Sequence, residues 1–388
     1  MGGAGQDSQI LRLRDIAMAV SREALAPMAE RVDSEAAWPE DAMRAIADAG
    51  LLGLHLPQRL GGLEQGLSAL AVVAEELGRG CSSAAMCFGM HSVAAKVLTV
   101  KATAHQEEKF LRPIAEGRHV CSLALSEPGT GTFFFLPRVQ VRAEADAFVV
   151  DGEKSFVTSG GHADSYVVSA VPPGEELDPG AFTCLAIEGD APGLEWGAAW
   201  NGFGMRGNSS RNVRLNGVRV PQENLLGAEG DQIWYVFEVV APYFVIAMSS
   251  VYLGIAHAAL DLAIENVKTR RHVHTGDAIG DAPVLWHDIA RAWTEIEATR
   301  QLVRSAARLA DAGDPGAPLA LFAAKAKVAT MVNEVTETAL ILSGGRGYAE
   351  NSHVSRLHRD ARAANLMAPT THLLNTWLGR SLLGMPLL

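Results

Sequence analysis

The sequence predicts an α+β protein in which a helical region is followed by a β region and then by a second helical region. Apolar residues recur at helical spacing at the start of the chain, and short alternating apolar runs replace them in the middle. Long helical periods return after residue 224. We therefore expect three domains: a helical domain over 1–118, an antiparallel β domain over 119–223, and a helical bundle over 224–388.

The first helical region shows its period clearly. Ile10, Leu13 and Val20 recur three to seven residues apart, on one face of a helix. A second helix is predicted in PEDAMRAIADAG, where Pro39 suits a first turn and Gly50 suits a C-terminal end.

The middle region contains apolar runs that alternate with polar residues, as strands with one buried face do. Gly, Pro and Asn-Gly punctuate these runs, which favours antiparallel hairpins. The runs are VQVRAEADAFVVDG, SYVVSAV, FTCLAIEG and NVRLNGVRV.

The last region has long helical periods that are interrupted at TGDAIGDAP and DAGDPGAP, and this predicts a bundle of four or five helices. Its first helix contains VVAPYFVIAMSSVYLGIAHAAL, a stretch without formal charge that is long enough to span a membrane. Pro242, Gly254 and His257 interrupt the apolar stretch, and it continues into the amphipathic ALDLAIENVKTRR. We therefore predict a buried helix and no membrane span.

Composition narrows the function further. The chain has 388 residues, is 48% hydrophobic and 20% charged, and has a net charge of -11 with no basic run, which argues against nucleic-acid binding. Its four cysteines have no CxxC spacing, no metal-ligand spacing is present, and the N-terminus has no signal pattern. We expect a cytoplasmic protein without a metal site.

Several motifs then occur in a specific order along the chain. They are LGLHLPQRLGG, ALSEPGTGT, VDGEKSFVTSGGHADSYVV, GFGMRGNSSRNVRLNGVRVPQENLLGAEG and LSGGRGYAENSHVSRLHRDAR. With this order, nearly the whole chain resembles the acyl-CoA dehydrogenase family. The resemblance implies an N-terminal helical domain, a middle β domain and a C-terminal four-helix bundle. It also implies a homotetramer that binds one FAD per subunit and acts on an acyl thioester.

The stretch LALSEPGTGTFFF, at 123–135, corresponds to a cofactor-binding turn of that family. Its glycines allow the backbone to approach a flavin ring or a phosphate closely. The resemblance implies that Leu125, Ser126 and Thr132 contact FAD. Phe133 stands where the family usually has Asp, and the three consecutive phenylalanines suit either domain-interface packing or a reshaped cavity wall. Glu127 could serve as a base only if the turn were rearranged.

Other cofactor contacts follow from the same resemblance. Phe156 is expected to cover the flavin face, and the Thr158 hydroxyl to bind the ring edge. The neighbouring subunit would supply Arg270 to the pyrophosphate, which a guanidinium binds in a fixed fork. The remaining expected contacts are Gly344, Gly345 and Thr370. At three further positions this sequence differs from the residue that the family usually has, and we therefore expect weaker FAD binding. The residues at these positions are Val273, Pro283 and Ile341.

The catalytic carboxylate of the family has no counterpart in this sequence. RDARAANLMAPTT aligns Ala368 with the usual Glu. At the alternative family location, Phe244 aligns with the base and Val245 with an arginine near CoA. Since Ala cannot exchange a proton, ordinary α,β-dehydrogenation is not expected. His372 lies one helical turn after Ala368 and is a weak candidate for a substitute base.

Three functions remain open on the sequence alone. The first is a flavin-dependent oxidoreductase with altered chemistry, which acts on a CoA-bound or carrier-protein-bound thioester or works as a flavin monooxygenase. The second is a non-catalytic partner subunit of a hetero-oligomeric acyl-CoA dehydrogenase. The third is a cofactor-free enzyme that reuses the fold. His353 and His358, beside two arginines and an aspartate, are interpreted as a brace for the C-terminal bundle.

Overall fold

The computed structural model describes residues 3–174, 180–230 and 233–387. Within this part of the chain, helices occupy residues 3–115, strands follow from residue 121, and helices return after residue 234. The predicted helical, β, helical order is therefore confirmed.

The N-terminal region consists of helices, and the two at residues 67–80 and 82–100 are the most apolar and the most buried of them. The helices are α1 (Gly3–Val20), α2 (Ala26–Ser34), α3 (Glu40–Asp48), α4 (Leu67–Gly80), α5 (Ser82–Val100), α6 (Ala104–Gln106) and α7 (Arg112–Ala115). Helix α3 lies within the PEDAMRAIADAG segment, begins directly after Pro39 and ends before Gly50, whose φ is 73°. A left-handed residue of this kind commonly follows a helix end, and glycine adopts it without a Cβ clash.

The β region forms two four-stranded sheets. Its strands are β1 (Cys121–Ala124), β2 (Gln140–Ala143), β3 (Ala147–Val157), β4 (Ser165–Ala170), β5 (Thr183–Glu188), β6 (Leu194–Trp196), β7 (Arg211–Pro221) and β8 (Leu225–Leu226). The sheet orders are β1-β4-β5-β8 and β2-β3-β7-β6. The pairs are antiparallel as predicted, except that β1 runs parallel to β4, with Cys121 opposite Ser165. That exception follows from the long connection between them, which no hairpin turn constrains.

The C-terminal region consists of long helices and two shorter ones. They are α8 (Ala241–Thr269), α9 (Pro283–Asp311), α10 (Ala317–Gly347), α11 (His353–Ala361) and α12 (Thr371–Leu382). Helical backbone in α10 is interrupted at Gly344, where φ is 60° and ψ is -155°. Since residues with a Cβ avoid this conformation, glycine is required there.

Helix α8 is the centre of the molecule and packs against α4, α5, α9, α10 and α11. Among the described residues, two helical segments are long and apolar enough to cross a membrane: Ser82–Val100, and Tyr235–Thr269, which includes α8. Of their apolar windows, 83% and 89% respectively are buried inside the fold. Such burial is that of core helices, whose apolar surface other helices already cover.

Candidate active site

The Ser-Glu-Pro-Gly turn, residues 126–129, follows β1 and is held to β3. The amide of Ser155 donates to the carbonyl oxygen of Ser126 over 2.8 Å. Beyond this bond, Gly129 and Gly131 have positive φ values of 85° and 56°, and added Cβ atoms there would meet nothing within 4 Å. The turn therefore presents open backbone beside a fixed strand.

A buried ion pair fixes this turn. Lys154, in β3, donates from Nζ to the Glu127 carboxylate over 2.6 Å and to the Leu125 carbonyl over 3.3 Å. The amides of Arg138 and Val139 donate to the same carboxylate at 2.7 and 3.2 Å. Burial lowers the pKa of Lys154, and the nearby Glu127 carboxylate opposes that shift. Glu127 is thus fully engaged in structural contacts, and it is not a free base.

The three phenylalanines take three different environments. Phe134 is buried and lines a cavity, whereas Phe135 packs against Phe237 and Trp377 with ring centroids 5.7 and 6.0 Å apart. Phe133 stays exposed at the edge of the turn. Since Phe237 precedes α8 and Trp377 lies in α12, Phe135 joins the β region to the C-terminal helices. Phe135 therefore packs at a domain interface and Phe134 forms part of a cavity wall, so each of the two interpretations of the triplet applies to one ring.

The end of β3 is strained. Phe156 has a φ of 56° and Ser159 also has a φ of 56°. A β-bulge between Lys154 and Val157 accompanies this conformation, and Phe156 remains 65% exposed. Trp38 of the N-terminal region donates from its indole nitrogen to the Ser159 hydroxyl over 3.1 Å.

A second strained loop is bonded to the end of β3 and also lines the cavity. Met205 and Ser209 have φ values of 51° and 49°. The Met205 amide donates to the Asp360 carboxylate over 2.6 Å, and the Ser159 amide donates to the Asn208 carbonyl over 2.9 Å. A non-glycine residue in this conformation costs about 1–3 kcal/mol, and such residues cluster at functional sites.

The LHRDAR segment, residues 357–362, holds this second loop in place. Arg359 pairs with the Asp33 carboxylate and donates to the Phe203 carbonyl over 3.1 Å. Burial raises the pKa of Asp360, whose carboxylate accepts the Met205 amide. The segment therefore braces a cavity wall in addition to the C-terminal bundle.

These loops surround a cavity of about 700 Å³. It brings together four predicted cofactor contacts and the two residues that the sequence resemblance aligns with the family base. Its lining includes Leu125, Ser126, Phe156, Thr158, Phe244 and Ala368. Further apolar walls come from Met90, Phe134, Val240, Leu366 and Met367.

Two predicted contacts lie at the edge of the cavity. The backbone amide of Thr370 donates to the Thr132 hydroxyl over 3.3 Å, which ties the turn to the loop that carries Ala368. Thr132 and Thr370 themselves are outside the cavity lining. Their adjacency still places both beside the Gly-rich turn.

The predicted distal cofactor contacts form a separate cluster. Arg270 donates to the carbonyl of Ser343 over 3.1 Å, next to the interruption at Gly344. Neither Arg270, Gly344 nor Gly345 lines the cavity of its own chain. Val273 is fully exposed and Ile341 is 72% exposed near this cluster. Within one chain, these predicted contacts therefore lie apart from the cavity.

The cavity contains little that can take a proton. Of its lining residues in the described chain, only Glu127 has an ionisable side chain, and that carboxylate is bonded to Lys154 and two amides. His372 is exposed and does not line the cavity, while Val245 is buried in the core. The structure therefore does not support His372 as a substitute base.

The cavity fits a flavin. The Thr158 hydroxyl makes no hydrogen bond to the described residues, and it is available to a ligand. Phe156 leaves an aromatic face uncovered, and the open turn at Gly129 and Gly131 allows close backbone approach. Aromatic face, hydroxyl donor and Gly-rich backbone together match the chemistry of an isoalloxazine ring and a pyrophosphate.

Sequence profiles of three domains match this chain. They are the acyl-CoA dehydrogenase N-terminal domain at residues 8–118, the middle domain at 122–218 and the C-terminal domain at 243–383. The chain belongs to the acyl-CoA dehydrogenase family. Membership supports FAD as its cofactor and makes it an oxidoreductase of the class that acts on acyl-CoA thioesters.

Individual relatives agree with this membership. Cyclohex-1-ene-1-carbonyl-CoA dehydrogenase of Geobacter metallireducens is 31% identical over 95% of this chain and 96% of its own length. The structure of butyryl-CoA dehydrogenase from Megasphaera elsdenii is 26% identical, with a TM-score of 0.90 over 96% of this chain and 98% of that one. The prolyl acyl carrier protein oxidase AnaB shares the fold, at 23% identity and a TM-score of 0.85 over 97% and 99% of the two chains.

The sequence analysis did not identify two residues that hold this site together, Lys154 and Asp360. Lys154 was part of a quoted motif but had no predicted role, and Asp360 was considered only as part of a brace. Each acts through a contact with a distant residue, Glu127 or Met205. Burial along β3 does not alternate regularly, so the position of the lysine in VDGEKSFV carries no sequence signal that its side chain is buried.

The cysteines and potential metal ligands add no further chemistry. All four cysteines are free and buried. Within residues 3–174, 180–230 and 233–387, no group of three or more His, Cys, Asp or Glu side chains is placed to hold a metal ion.

Proposed function

We propose that this chain is an FAD-dependent oxidoreductase that acts on an acyl thioester without a carboxylate at the usual base position. The thioester is carried by CoA or by a carrier protein, or the enzyme works as a flavin monooxygenase. The observation that carries the proposal is the cavity wall, which includes Ala368 and Phe244, the two residues that the sequence resemblance aligns with the family's base positions.

Proton abstraction explains why this wall matters. Concerted α,β-dehydrogenation needs a base within hydrogen-bond reach of the α-carbon. A methyl group at Ala368 and a phenyl ring at Phe244 cannot accept a proton. Glu127 keeps its carboxylate for Lys154 and two amides. Any reaction that this cavity supports must therefore leave the α-proton in place or transfer it without these side chains.

The remaining residues have clear tasks in such a reaction. Phe156 would lie against the flavin, and Thr158 would donate a hydrogen bond to the ring edge. FAD, when bound, supplies the electron-accepting or electron-donating centre. Phe134, Phe244 and Met90 would surround the acyl group and exclude water from it. Their apolar surfaces favour an apolar acyl chain over a charged one.

Assays of two variants test the missing base directly. Wild type, Ala368→Glu and Ala363→Glu are assayed with a panel of acyl-CoAs and an artificial electron acceptor. Ala363 also lines the cavity, so its variant controls for a carboxylate at another part of the wall. We expect dehydrogenation only in Ala368→Glu. High turnover by the wild type would refute the proposal.

Two measurements distinguish the remaining versions of this proposal. Oxygen uptake distinguishes a monooxygenase from a dehydrogenase, and carrier preference distinguishes CoA from a carrier protein. A monooxygenase consumes oxygen in the presence of a reductant and substrate, whereas a dehydrogenase needs only an acceptor. The same acyl groups are compared on CoA and on a carrier protein. If the purified wild type is colourless and FAD titration causes no spectral change, the cofactor-free alternative replaces this proposal.

A further inference from the structure

A buried lysine lies directly behind the cavity wall. Lys325, in α10, is 2% exposed, although its neighbours Ala324 and Val328 belong to the apolar core. In the described part of the chain, no carboxylate pairs with it. Desolvation lowers the pKa of Lys325 to about 7.

The lysine bonds to the backbone on both sides of Ala368. Its Nζ donates to the Met367 carbonyl over 3.1 Å and to the Pro369 carbonyl over 2.8 Å. Met367, Ala368 and Pro369 all line the cavity, whereas Lys325 does not. Lys325 can therefore act on the cavity only through this loop.

Two other contacts hold the same loop at its flanks. The Tyr252 hydroxyl, from α8, donates to the Met367 sulfur over 3.1 Å. The Thr370 amide bonds to Thr132 of the cofactor turn. Among these contacts, only the amine of Lys325 spans Ala368.

Core packing does not explain a lysine at this position. An unpaired amine without a counter-charge carries a large desolvation cost, and an apolar side chain of similar volume is often neutral or stabilising in such a place. A residue that is unfavourable for the fold and adjacent to the reaction cavity is expected to serve the site.

We propose that Lys325 is a positioning residue that fixes the backbone at Met367 and Pro369 and thereby sets the cavity wall around Ala368. Through this wall it determines how an acyl thioester fits against the flavin, and this second part rests on the proposed function. Lys327, two residues further along α10, serves as the matched control. It is 40% exposed and pairs with Glu295 over 2.6 Å.

A cysteine reporter tests the position of the loop without any turnover. Ala368→Cys introduces a thiol at the wall, while the four natural cysteines are buried. The rate of iodoacetamide alkylation is measured in the FAD-loaded protein, alone and combined with Lys325→Met or Lys327→Met. We expect Lys325→Met to raise the rate at least tenfold without lowering the melting temperature, and Lys327→Met to leave it unchanged.

A ligand measurement provides the second readout. Butyryl-CoA is titrated against the visible spectrum of the bound FAD in wild type, Lys325→Met and Lys327→Met. We expect at least tenfold weaker binding in Lys325→Met alone. An unchanged alkylation rate, or a faster rate that merely follows a lower melting temperature, would overturn the positioning role. If the wild type itself does not bind butyryl-CoA, the use of CoA thioesters fails, but the alkylation result still decides the role of Lys325.

Discussion

Removal of the Lys154 amine should destabilise the protein more than any surface change. Lys154→Met leaves the Glu127 carboxylate buried with its two amide donors but without its cation. The lysine side chain is 0% exposed and the glutamate side chain 4%, so water cannot replace the ammonium. Breaking a buried pair on one side typically costs about 3–5 kcal/mol, a large fraction of the stability of a domain.

The double variant should recover much of that loss. In Lys154→Met with Glu127→Gln, the glutamine oxygen can still accept from the amides of Arg138 and Val139, and no buried charge remains. We expect it to be at least about 2 kcal/mol more stable than Lys154→Met alone, because the two amides keep an acceptor and no unpaired charge is buried. Glu127→Gln by itself leaves the ammonium without a counter-charge and should also be costly.

Urea unfolding of the four proteins of this cycle measures the effect. Glu153→Gln is the control, since Glu153 is exposed and its carboxylate accepts a hydrogen bond from Asn212 over 3.3 Å. Its change should stay within about 0.5 kcal/mol. Bound flavin after purification should fall in Lys154→Met, because the pair anchors the cofactor turn. A loss below about 1 kcal/mol in Lys154→Met, or additive single changes, would show that the ion pair does not stabilise the turn.

Four further predictions concern packing, pH and assembly. Phe135→Ala should lower the free energy of unfolding by about 3–5 kcal/mol, because it leaves a cavity where the ring packs against Phe237 and Trp377. Phe133→Ala should change the free energy of unfolding little, and urea unfolding compares the two variants. Burial lowers the pKa of His91 to about 4 from 6.5, so the unfolded state binds more protons between these values. Stability should thus fall by about 3 kcal/mol as the pH drops through that window, and less in His91→Gln. Arg270→Ala should weaken FAD binding about 10- to 150-fold in a titration of the apoprotein, from the loss of one charged phosphate contact worth about 1.5–3 kcal/mol. We also propose a homotetramer, which sedimentation tests; a monomer at micromolar concentration would contradict the sharing of FAD between copies.

Local pattern explains why the sequence predicts the architecture so well. Helical and strand periods depend only on residues a few positions apart, and the punctuation by Gly and Pro is equally local. The sequence also predicts which residues, Ala368 and Phe244, align with the base positions of the family, because the motifs on either side set the alignment. The parallel pairing of β1 with β4 has no local signal, since nothing between the strands dictates their relative direction.

Only the tertiary structure reveals which side chains the site depends on. Glu127 meets Lys154 across 27 residues, and Asp360 meets the Met205 amide across 155. Three consecutive phenylalanines enter three environments, because an irregular turn gives each ring its own direction. Lys325 looks like one more polar residue of a helix until its amine is found on the carbonyls beside Ala368. The sequence by itself determined the fold and predicted that the usual base is missing. Packing between distant segments decided how the cavity is held, since such contacts have no period along the chain.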